Sequence, residues 1–549
     1  MQHSPSRRPV RLVTSGVAAL ALMAGLAACS PDAGGPVTGG DPVSGGTLTF
    51  ASNTDTDCLD PHQSAADVAA LYARPILDSL VALTDDGEVH PWLAKAWTVS
   101  DDQLTYVFEL RDDVTFSNGE AFNAEAVKAN FDHIVAPETA SALAAGYIAP
   151  FVAATVVDDY TVAIEFSEPF SAFLPSVATA YFGMEAPSTL TQDPAELCKV
   201  IVGTGPFVSE TGYVAQQGIS YTKNADYNWA PETAAHDGAA YLDALNITIV
   251  PEDSVRLGSL SSGEVDAIAS VPPVNVETVT ADSSLYIDSA PAPGGNYNYY
   301  PNTEFGVFSD IAVREAFRAG IDFDTLIDSV YFGQFAAANS PIAPNTAYYD
   351  EAQEASYAYD PDAAAQLLDD AGWVMGSDGV RVKDGQPLEI HMPMIAGARE
   401  QRDTLAAQVQ AEAAKLGFDM VIDSEDVGAY IEALGSGGYD LIEISWQRSS
   451  PDVLRTLFDS ANIPDGGFNT GFSRFSSPVI DGALASALAA LDPAELTELY
   501  GTAQQEIADQ AIVFPQYVFS YILGARAQVQ GIGWDPQAFP LFYDAWKSE

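Results

Sequence analysis

Residues 71–134 read LYARPILDSLVALTDDGEVHPWLAKAWTVSDDQLTYVFELRDDVTFSNGEAFNAEAVKANFDHI, and this stretch decides the fold. Its DDG, SDD, RDD and SNGE segments contain residue types that favour tight turns. Between these turns we predict three strands of a meander, at residues 96–99, 105–110 and 114–116. A helix follows, because Asn123 can cap it and Val127 and Ile134 recur at helical spacing. The pattern is typical of a cleft wall rather than of a catalytic motif.

The same stretch resembles the family 5 solute-binding proteins of ABC importers, the group that binds dipeptides, oligopeptides and nickel. The matching segments are Pro91-Trp92-Leu93-Ala94, Trp97 and LRDDVTF at 110–116. The resemblance continues over essentially the whole mature chain. It implies an α/β, two-lobed periplasmic-binding-protein fold (type II, cluster C-like) with an extra subdomain in the first lobe.

Length and charge restrict the possible functions. A chain of 549 residues exceeds what one hydrophobic core usually holds, so at least two lobes are expected. Its formal net charge of -54 repels nucleic-acid phosphates and anionic lipid. Nucleic acid is therefore not expected as a partner, and the acidity favours a solvated surface.

The N-terminus has the features of an export signal. Arg7, Arg8 and Arg11 precede an apolar segment at 12–25 that is too short and too rich in Ala and Gly to span a membrane. Leu26-Ala27-Ala28-Cys29 then resembles a lipobox, which implies cleavage before Cys29 and acylation of that residue. An ordinary secretory cleavage is the alternative. Ser6-Arg7-Arg8 hints at twin-arginine export, but Pro9 interrupts the pattern, so the export route stays open.

Two cysteines remain once Cys29 carries lipid. Cys58 and Cys198 form an even pair in an oxidising compartment, so we predict a disulfide between them. Two free buried thiols are the alternative. Metal binding by these cysteines is disfavoured because no histidine lies at a ligand-like spacing from either.

The order of the remaining segments predicts how the lobes are assembled. In the resembled family, segments like VGTGPF at 202–207 and GEVDAI at 263–268 belong to the first lobe, and the segment like 511–523 returns to it. The glycines of VGTGPF are interpreted as a tight turn, since the segment lacks the lysine of a phosphate loop. We predict a signal peptide at 1–28, a tether at 29–44, a first lobe at 45–80, 203–293 and 513–549, its subdomain at 81–202, and a second lobe at 294–512.

No catalytic motif is present in the sequence, so neither an enzyme nor a cofactor is expected. A secreted hydrolase is the remote alternative. The histidines are widely scattered, and each is interpreted as a surface or hydrogen-bonded residue rather than a metal ligand. These residues are His62, His90, His133, His236 and His391.

Candidate ligand-binding residues come from three segments. Trp446 precedes Arg448, and the resembled peptide-binding proteins carry an Asp where Ser449 stands here, which puts a free peptide amino group in doubt. Arg448 offers a planar donor group for a carboxylate, with an intramolecular ion pair as the alternative. Aromatic rings predicted to line the cleft belong to Tyr297, Tyr299 and Tyr517, although core packing would equally suit the first two. Asp60, in an LDP segment, matches a cleft loop of the family, and a turn or helix cap before Pro61 is the alternative.

Together these features predict a lipid-anchored, extracytoplasmic substrate-binding protein. A monomer is expected, which binds a small-molecule or peptide ligand and docks on ABC permease subunits, with the lipid as its membrane contact. Nickel chelates, oligosaccharides and siderophores are alternative ligands. A sensory or chaperone-like role of the same fold is an alternative function.

Overall fold

The computed structural model describes residues 40–64, 66, 68–84, 87–397 and 399–548. The predicted signal peptide, Cys29 and the tether up to residue 39 lie outside the described residues. Strands and helices mix throughout the described chain, in an α/β arrangement of two lobes and a subdomain.

A large mixed sheet forms the first lobe from three separated parts of the chain. The strand Thr47–Ser52 lies at its centre and runs parallel to both of its neighbours, Ala244–Ile249 and Ala267–Ile268. Tyr213–Val214 pairs with Gly218–Lys223 beside the main path. In spatial order the sheet contains Leu285–Pro291, Ser520–Arg526, Ala267–Ile268, Thr47–Ser52, Ala244–Ile249, Gly218–Lys223 and Phe207–Val208.

The subdomain contains a four-stranded antiparallel sheet, in the order Ala94–Val99, Thr105–Leu110, Thr161–Phe166 and Phe151–Asp158. The first two strands confirm the predictions at 96–99 and 105–110. The strand predicted at 114–116 is wrong. Residues 114–116 form a single bridge, from Thr115 to Ala121, because the chain reverses at once through the SNGE turn.

The helix Ala124–Val135 packs against this sheet as predicted. The side chain of Asn123 caps it by accepting a hydrogen bond of 3.0 Å from the backbone N–H of Ala126. Val127, Phe131 and Ile134 are buried on the face that meets the sheet. Phe131 also lies among other aromatic rings, which gives the subdomain a core of its own.

The second lobe is built on a four-stranded sheet in the order Ala336–Ala337, Phe514–Val518, Gly294–Pro301 and Leu441–Gln447. A parallel pair, Glu389–Ile395 with Asp419–Glu425, lies beside it.

The remaining small sheets are distributed over the whole fold. They are Val374–Met375 with Arg381–Lys383 and Gln386–Pro387, Val81–Leu83 with Val89–Pro91, Val529–Gln530 with Trp546–Lys547, and Gly533–Trp534 with Pro540–Leu541.

Helices cover the sheets of both lobes. Residues 485–499 belong to two helices, because Asp492 caps a new helix and Pro493 occupies its first position. The α-helices are Ala69–Ala73, Ala124–Val135, Ala144–Tyr147, Phe173–Val177, Pro187–Leu190, Pro194–Leu197, Asp253–Ser262, Val276–Thr280, Ile311–Gly320, Phe323–Tyr331, Pro361–Asp370, Arg402–Lys415, Val427–Ser436, Val453–Phe458, Pro478–Ala489 and Pro493–Asp509. Short 3₁₀ helices occur at Ala180–Phe182, Pro273–Asn275, Val307–Ser309, Glu351–Tyr357, Arg399–Gln401 and Ser460–Asn462.

Two glycines of the VGTGPF segment are required by close packing. A Cβ atom at Gly203 would lie 2.1 Å from the carbonyl oxygen of Ile76, and one at Gly205 would lie 2.5 Å from its carbonyl carbon. Neither glycine has a positive φ. The predicted tight turn is therefore replaced by a close approach of two backbone segments.

The chain crosses between the lobes at two neighbouring points. Leu285–Pro291 of the large sheet continues into Gly294–Pro301 of the second lobe, and Phe514–Val518 continues into Ser520–Arg526 of the first. The backbone N–H of Ala292 donates a hydrogen bond of 2.8 Å to the carbonyl oxygen of Phe519. The two crossings are thus joined, as expected for a hinge between lobes.

Candidate functional site

A cavity of about 400 Å³ lies between the lobes, beside the two crossings. Its volume falls within the range of small-molecule sites. The first lobe supplies Asn53, Thr54, Ala66, Val68, Ser270, Ala292, Phe519, Tyr521, Gln537 and Phe539. The subdomain supplies Leu143, Tyr147 and Tyr181, and the second lobe supplies Arg399, Glu400, Ser445, Trp446 and Gln447.

Aromatic rings form much of the cavity wall. Tyr147 and Tyr181 contact each other edge to face in the subdomain, with ring centroids 6.1 Å apart. Trp446 faces them from the second lobe and stacks on Phe468 at 6.5 Å. Such rings bury apolar area while their polar edges can still bind a ligand. The wall therefore suits a small solute with both apolar and polar parts.

Two opposite charges lie together on the second-lobe side of the cavity. Arg399 and Glu400 follow the parallel strand Glu389–Ile395, and their side-chain N and O atoms are 4.0 Å apart. Glu400 and Gln401 both have a φ of 54°, in the left-handed region that non-glycine residues rarely adopt. Strained backbone of this kind is concentrated at ligand sites, which supports a functional role for this turn.

An arginine cluster of Glu400, Arg402 and Glu443 extends from Glu400 on this wall into the second lobe behind it. The Arg402 guanidinium is 2.8 Å from Glu400 and 3.3 Å from Glu443, and it donates a hydrogen bond of 3.0 Å to Ser445. Burial by itself would lower the pKa of Arg402, but Tyr517 and the two carboxylates outweigh burial and raise that pKa well above its usual value. Each charge in this cluster has a partner of opposite sign within the chain, as buried charges require.

Three predicted cleft tyrosines lie behind the wall instead of on it. Tyr297, Tyr299 and Tyr517 are each 0% exposed, and none of them lines the cavity. The Tyr297 ring lies 4.2 Å from the Arg402 guanidinium, and Tyr517 hydrogen-bonds Arg402 and Glu400. Their predicted cleft position is therefore wrong, because both faces of their strands are covered by other elements.

Trp446 lies on the cavity wall, whereas Arg448 has a different environment. The Arg448 Cζ atom lies 3.4 Å from the centre of the Tyr147 ring, so a second-lobe cation contacts a subdomain ring. Its Nε atom is buried without a hydrogen-bond partner, and burial lowers the pKa of Arg448. Within the described chain, Arg448 forms no salt bridge and does not line the main cavity. Its position is that of a contact between lobes.

Asp60 is fully buried and does not line the cavity, which corrects its predicted place on the cleft surface. It accepts hydrogen bonds from the backbone N–H of His62 and the side chain of Gln63, both at 2.7 Å. The adjacent Cys58 forms a disulfide with Cys198 in the structure. This bond ties the Asp60 loop to the end of the subdomain.

Asp60 belongs to a histidine–carboxylate cluster of Asp60, His62, His133 and Glu185. The Nδ1 atoms of His62 and His133 lie 3.1 Å apart, although the two residues are 71 positions apart in sequence. Asp60, His62 and Glu185 offer ligand atoms that all lie within 4.8 Å of one another, so this trio could hold a metal ion. The sequence interpretation of His62 as a hydrogen-bonded residue agrees with its contact to the carbonyl oxygen of Gly183, but the proximity of His62 to His133 was not predicted.

Sequence reasoning missed the cavity residues Arg399, Glu400, Tyr147 and Tyr181. Arg399 and Glu400 carried a usable signal, because ligands in α/β proteins bind beyond the carboxyl ends of parallel strands. The two tyrosines carried none, since they reach the cavity through tertiary packing of the subdomain.

The fold and the interlobe cavity together define a two-lobed solute-binding protein. The family described as "Bacterial extracellular solute-binding proteins, family 5 Middle" matches residues 88–463, so the chain belongs to this family of ABC-importer components. The predicted family and fold are thereby confirmed.

Particular relatives extend over almost the whole chain. The glutathione-binding protein GsiB of Salmonella typhi is 28% identical over 507 residues, which cover 91% of this chain and 94% of the relative. The nickel-binding periplasmic protein of Escherichia coli is 26% identical over 509 residues, covering 90% and 94%. The crystal structure of NikA from Brucella suis in complex with Fe(III)-EDTA superposes with a TM-score of 0.80 at 26% identity, covering 92% of this chain and all of that one.

These relatives are extracytoplasmic binding proteins, and none is named as an enzyme. Within the described residues, no helix combines the length and apolar composition that crossing a bilayer would need.

Proposed function

We propose that this chain captures a short peptide or peptide-like solute in the interlobe cavity and delivers it to the permease subunits of an ABC importer. The observation that carries this proposal is the pairing of Arg399 with Glu400 on an otherwise uncharged wall of described residues. A peptide with free ends has one carboxylate and one ammonium group, which match these two side chains. Arg399 thus takes the anchoring role that the sequence assigned to Arg448.

A metal chelate is the second candidate, because one relative is named for nickel and another structure holds Fe(III)-EDTA. Imidazole is a preferred protein ligand for nickel. Among the described residues, no histidine or cysteine lines the cavity, and this composition favours the peptide-like solute. Oligosaccharides and siderophores, and a sensory or chaperone-like role, remain further alternatives.

Binding is proposed to proceed by closure of the lobes around the joined crossings at Ala292 and Phe519. The ligand must bind the closed state more tightly than the open state, since otherwise occupancy would not be signalled to the permease. Trp446 and the charged pair approach from the second lobe, while Tyr147 and Tyr181 approach from the subdomain. A separate ATPase supplies the energy of transport, and the chain itself is proposed to catalyse no reaction.

The placement of the protein in the cell envelope is also a proposal. Cys29 is proposed to carry the lipid anchor after removal of residues 1–28, with 29–44 as the tether. The lobe boundaries predicted from the sequence are proposed to hold except at residues 514–518, whose strand pairs in the sheet of the second lobe. The binding protein is proposed to act as a monomer.

Calorimetry with chemically blocked peptides tests the proposal. Dipeptides, tripeptides and glutathione are screened first by thermal shift, and the best binder is then compared with its C-amidated and N-acetylated forms and with a Ni²⁺–histidine complex. Loss of the carboxylate is expected to weaken binding about 10- to 150-fold, as for other charged hydrogen bonds. Arg399→Gln is expected to remove the difference between free and amidated peptide, while the control Arg111→Gln retains it. Binding of the nickel complex with no binding of any peptide would overturn the proposal.

A further inference from the structure

The histidine–carboxylate cluster joins the first lobe to the subdomain. Asp60 and His62 lie in the loop after the central strand Thr47–Ser52, whereas His133 lies on the subdomain helix Ala124–Val135. Glu185 follows the 3₁₀ helix Ala180–Phe182. None of the four lines the solute cavity, so the cluster is a separate feature of the fold.

Hydrogen bonds fix the donor atoms of this cluster. The Nε2 atom of His62 lies 3.1 Å from the carbonyl oxygen of Gly183, and because a carbonyl only accepts, Nε2 carries the proton. The Nδ1 atom of neutral His62 then carries no proton, and its lone pair is available as a ligand. It lies 3.1 Å from His133 Nδ1 and 3.9 Å from the Asp60 carboxylate. An outer hydrogen bond to a carbonyl is the usual arrangement for a metal-binding histidine.

Glu185 is aimed into the cluster without a partner of its own. Its side chain is fully buried, and neither carboxylate oxygen accepts a hydrogen bond. Asn130 holds the Glu185 backbone from both sides, by hydrogen bonds of 2.8 and 2.9 Å. Burial, followed by the charge of Asp60, raises the pKa of Glu185 well above its usual value. A buried carboxyl group held in place beside a second carboxylate needs either a proton or a cation.

The surrounding chain holds these donors in position. The disulfide from Cys58 to Cys198 precedes the Asp60 loop, and the backbone N–H of Leu59 donates to the carbonyl oxygen of Cys198 at 3.0 Å. Among the described residues, no lysine or arginine forms an ion pair with any member of the cluster. The cluster therefore has fixed donors and an uncompensated negative charge, and His133 is partly exposed, which provides an entry path.

We propose that Asp60, His62 and Glu185, with His133 as a fourth donor, bind one divalent transition-metal ion of the zinc class. Two imidazoles with two carboxylates suit such an ion, whereas Ca²⁺ and Mg²⁺ prefer sites made of oxygen alone. The ion balances the carboxylates and clamps the first lobe to its subdomain. It also stiffens the cavity wall. Ala66 follows His62 in the chain and Tyr181 precedes Glu185, and the Tyr181 hydroxyl donates a hydrogen bond of 3.1 Å to the carbonyl oxygen of Ala66.

The competing arrangement has no metal. Protonated Glu185 would donate a hydrogen bond to the Asp60 carboxylate, and the cluster would then be a hydrogen-bonded network with a single negative charge. The two arrangements differ in a measurable way, because replacing Glu185 by glutamine removes a metal ligand but retains a hydrogen-bond donor.

Zinc titration of the mature protein tests the proposal, with protein that is purified without a polyhistidine tag and stripped by a chelator. Calorimetry is expected to show one Zn²⁺ per chain with a Kd of about 1 µM or tighter. Glu185→Gln is expected to weaken this binding at least about tenfold. Excess Zn²⁺ is expected to raise the Tm of the wild type by at least about 2 °C and to leave the Tm of Glu185→Gln unchanged.

The matched control is His391→Gln. His391 is an exposed histidine between Glu389 and Asp423, at 3.1 and 3.2 Å, and its replacement is expected to leave zinc binding unchanged. His133→Asn provides a second test if Glu185→Gln does not fold. No one-to-one binding by the wild type, equal affinity in wild type and Glu185→Gln, or loss of binding in His391→Gln would each overturn the proposal.

Discussion

The two lobes each bury a cluster of charged groups close to the cavity, and the clusters differ in their charge balance. In the arginine cluster, Arg402 lies between the carboxylates of Glu400 and Glu443. In the histidine–carboxylate cluster, Asp60 and Glu185 face two neutral imidazoles and no permanent cation from the described residues. The first cluster is complete within the chain, whereas the second requires a proton or an external cation. The comparison separates buried charges that are paired within the chain from buried charges that need a proton or an external cation.

Removal of the cation from the arginine cluster should have the largest effect. Arg402→Met leaves Glu443 buried without its partner, and breaking a buried pair in this way costs about 3–5 kcal/mol. Urea unfolding should therefore show a lower free energy of unfolding by this amount. Arg111→Met, which removes a more exposed pair with Asp113, should cost less than about 1 kcal/mol. Equal losses in the two variants would contradict the structural role of Arg402.

Acid should destabilise the histidine–carboxylate cluster in the metal-free protein. Burial, aided by His133 and opposed by Asp60, lowers the pKa of His62 from 6.5 to about 4. Because the folded pKa is the lower one, the stabilisation is complete above pH 6.5 and is lost as the pH falls towards 4. The loss at pH 4 should be about 3 kcal/mol.

The free energy of unfolding between pH 7 and 4 measures this effect in the metal-free wild type and in His62→Gln. The difference between the two proteins isolates His62 from other acid-titrating groups. A constant difference over this pH range would show that the His62 pKa is not lowered.

Matched carboxylate substitutions compare the two clusters directly. Glu443→Gln weakens a charged hydrogen bond to Arg402 and should cost about 1–3 kcal/mol at pH 7. Burial raises the pKa of Glu185 well above its usual value, and glutamine has the shape of a protonated carboxyl group, so Glu185→Gln in the metal-free protein should change the free energy of unfolding by less than about 0.5 kcal/mol. A large loss in metal-free Glu185→Gln would mean that Glu185 is ionised and already has a partner.

Arg448 provides the smallest expected effect, because it contacts the Tyr147 ring and not a carboxylate. A buried cation–π contact of this kind contributes about 0.5–2 kcal/mol. Since the contact joins the second lobe to the subdomain, Arg448→Ala should weaken apparent ligand affinity about 2- to 30-fold by disfavouring closure. Calorimetry with the identified solute measures this change, and Tyr147→Leu should reproduce part of it. Unchanged affinity in both variants would exclude a role in closure.

The sequence predicts local structure and family membership well where a feature depends on residues that are close together in the chain. Asn123 caps its helix as predicted, because capping depends on neighbouring residues. Family motifs predict the two lobes. The sequence places the tyrosines at 297, 299 and 517 wrongly, because the sequence of an aromatic strand does not show whether one or both of its faces are covered by other elements. His62 and His133 meet through tertiary packing over 71 positions, which no local pattern reports.

Native mass spectrometry of the mature protein, as purified and after incubation with a peptide mixture, tests the central claim that the interlobe cavity binds a solute. Trp446 stands on the cavity wall and belongs to neither cluster, so Trp446→Ala removes binding surface while it leaves the side chains of both clusters in place. The wild type should retain one small molecule per chain that carries both a carboxylate and an amine. Trp446→Ala should retain it at least about tenfold more weakly. A wild type that retains no solute, or equal retention by the two proteins, would contradict the claim.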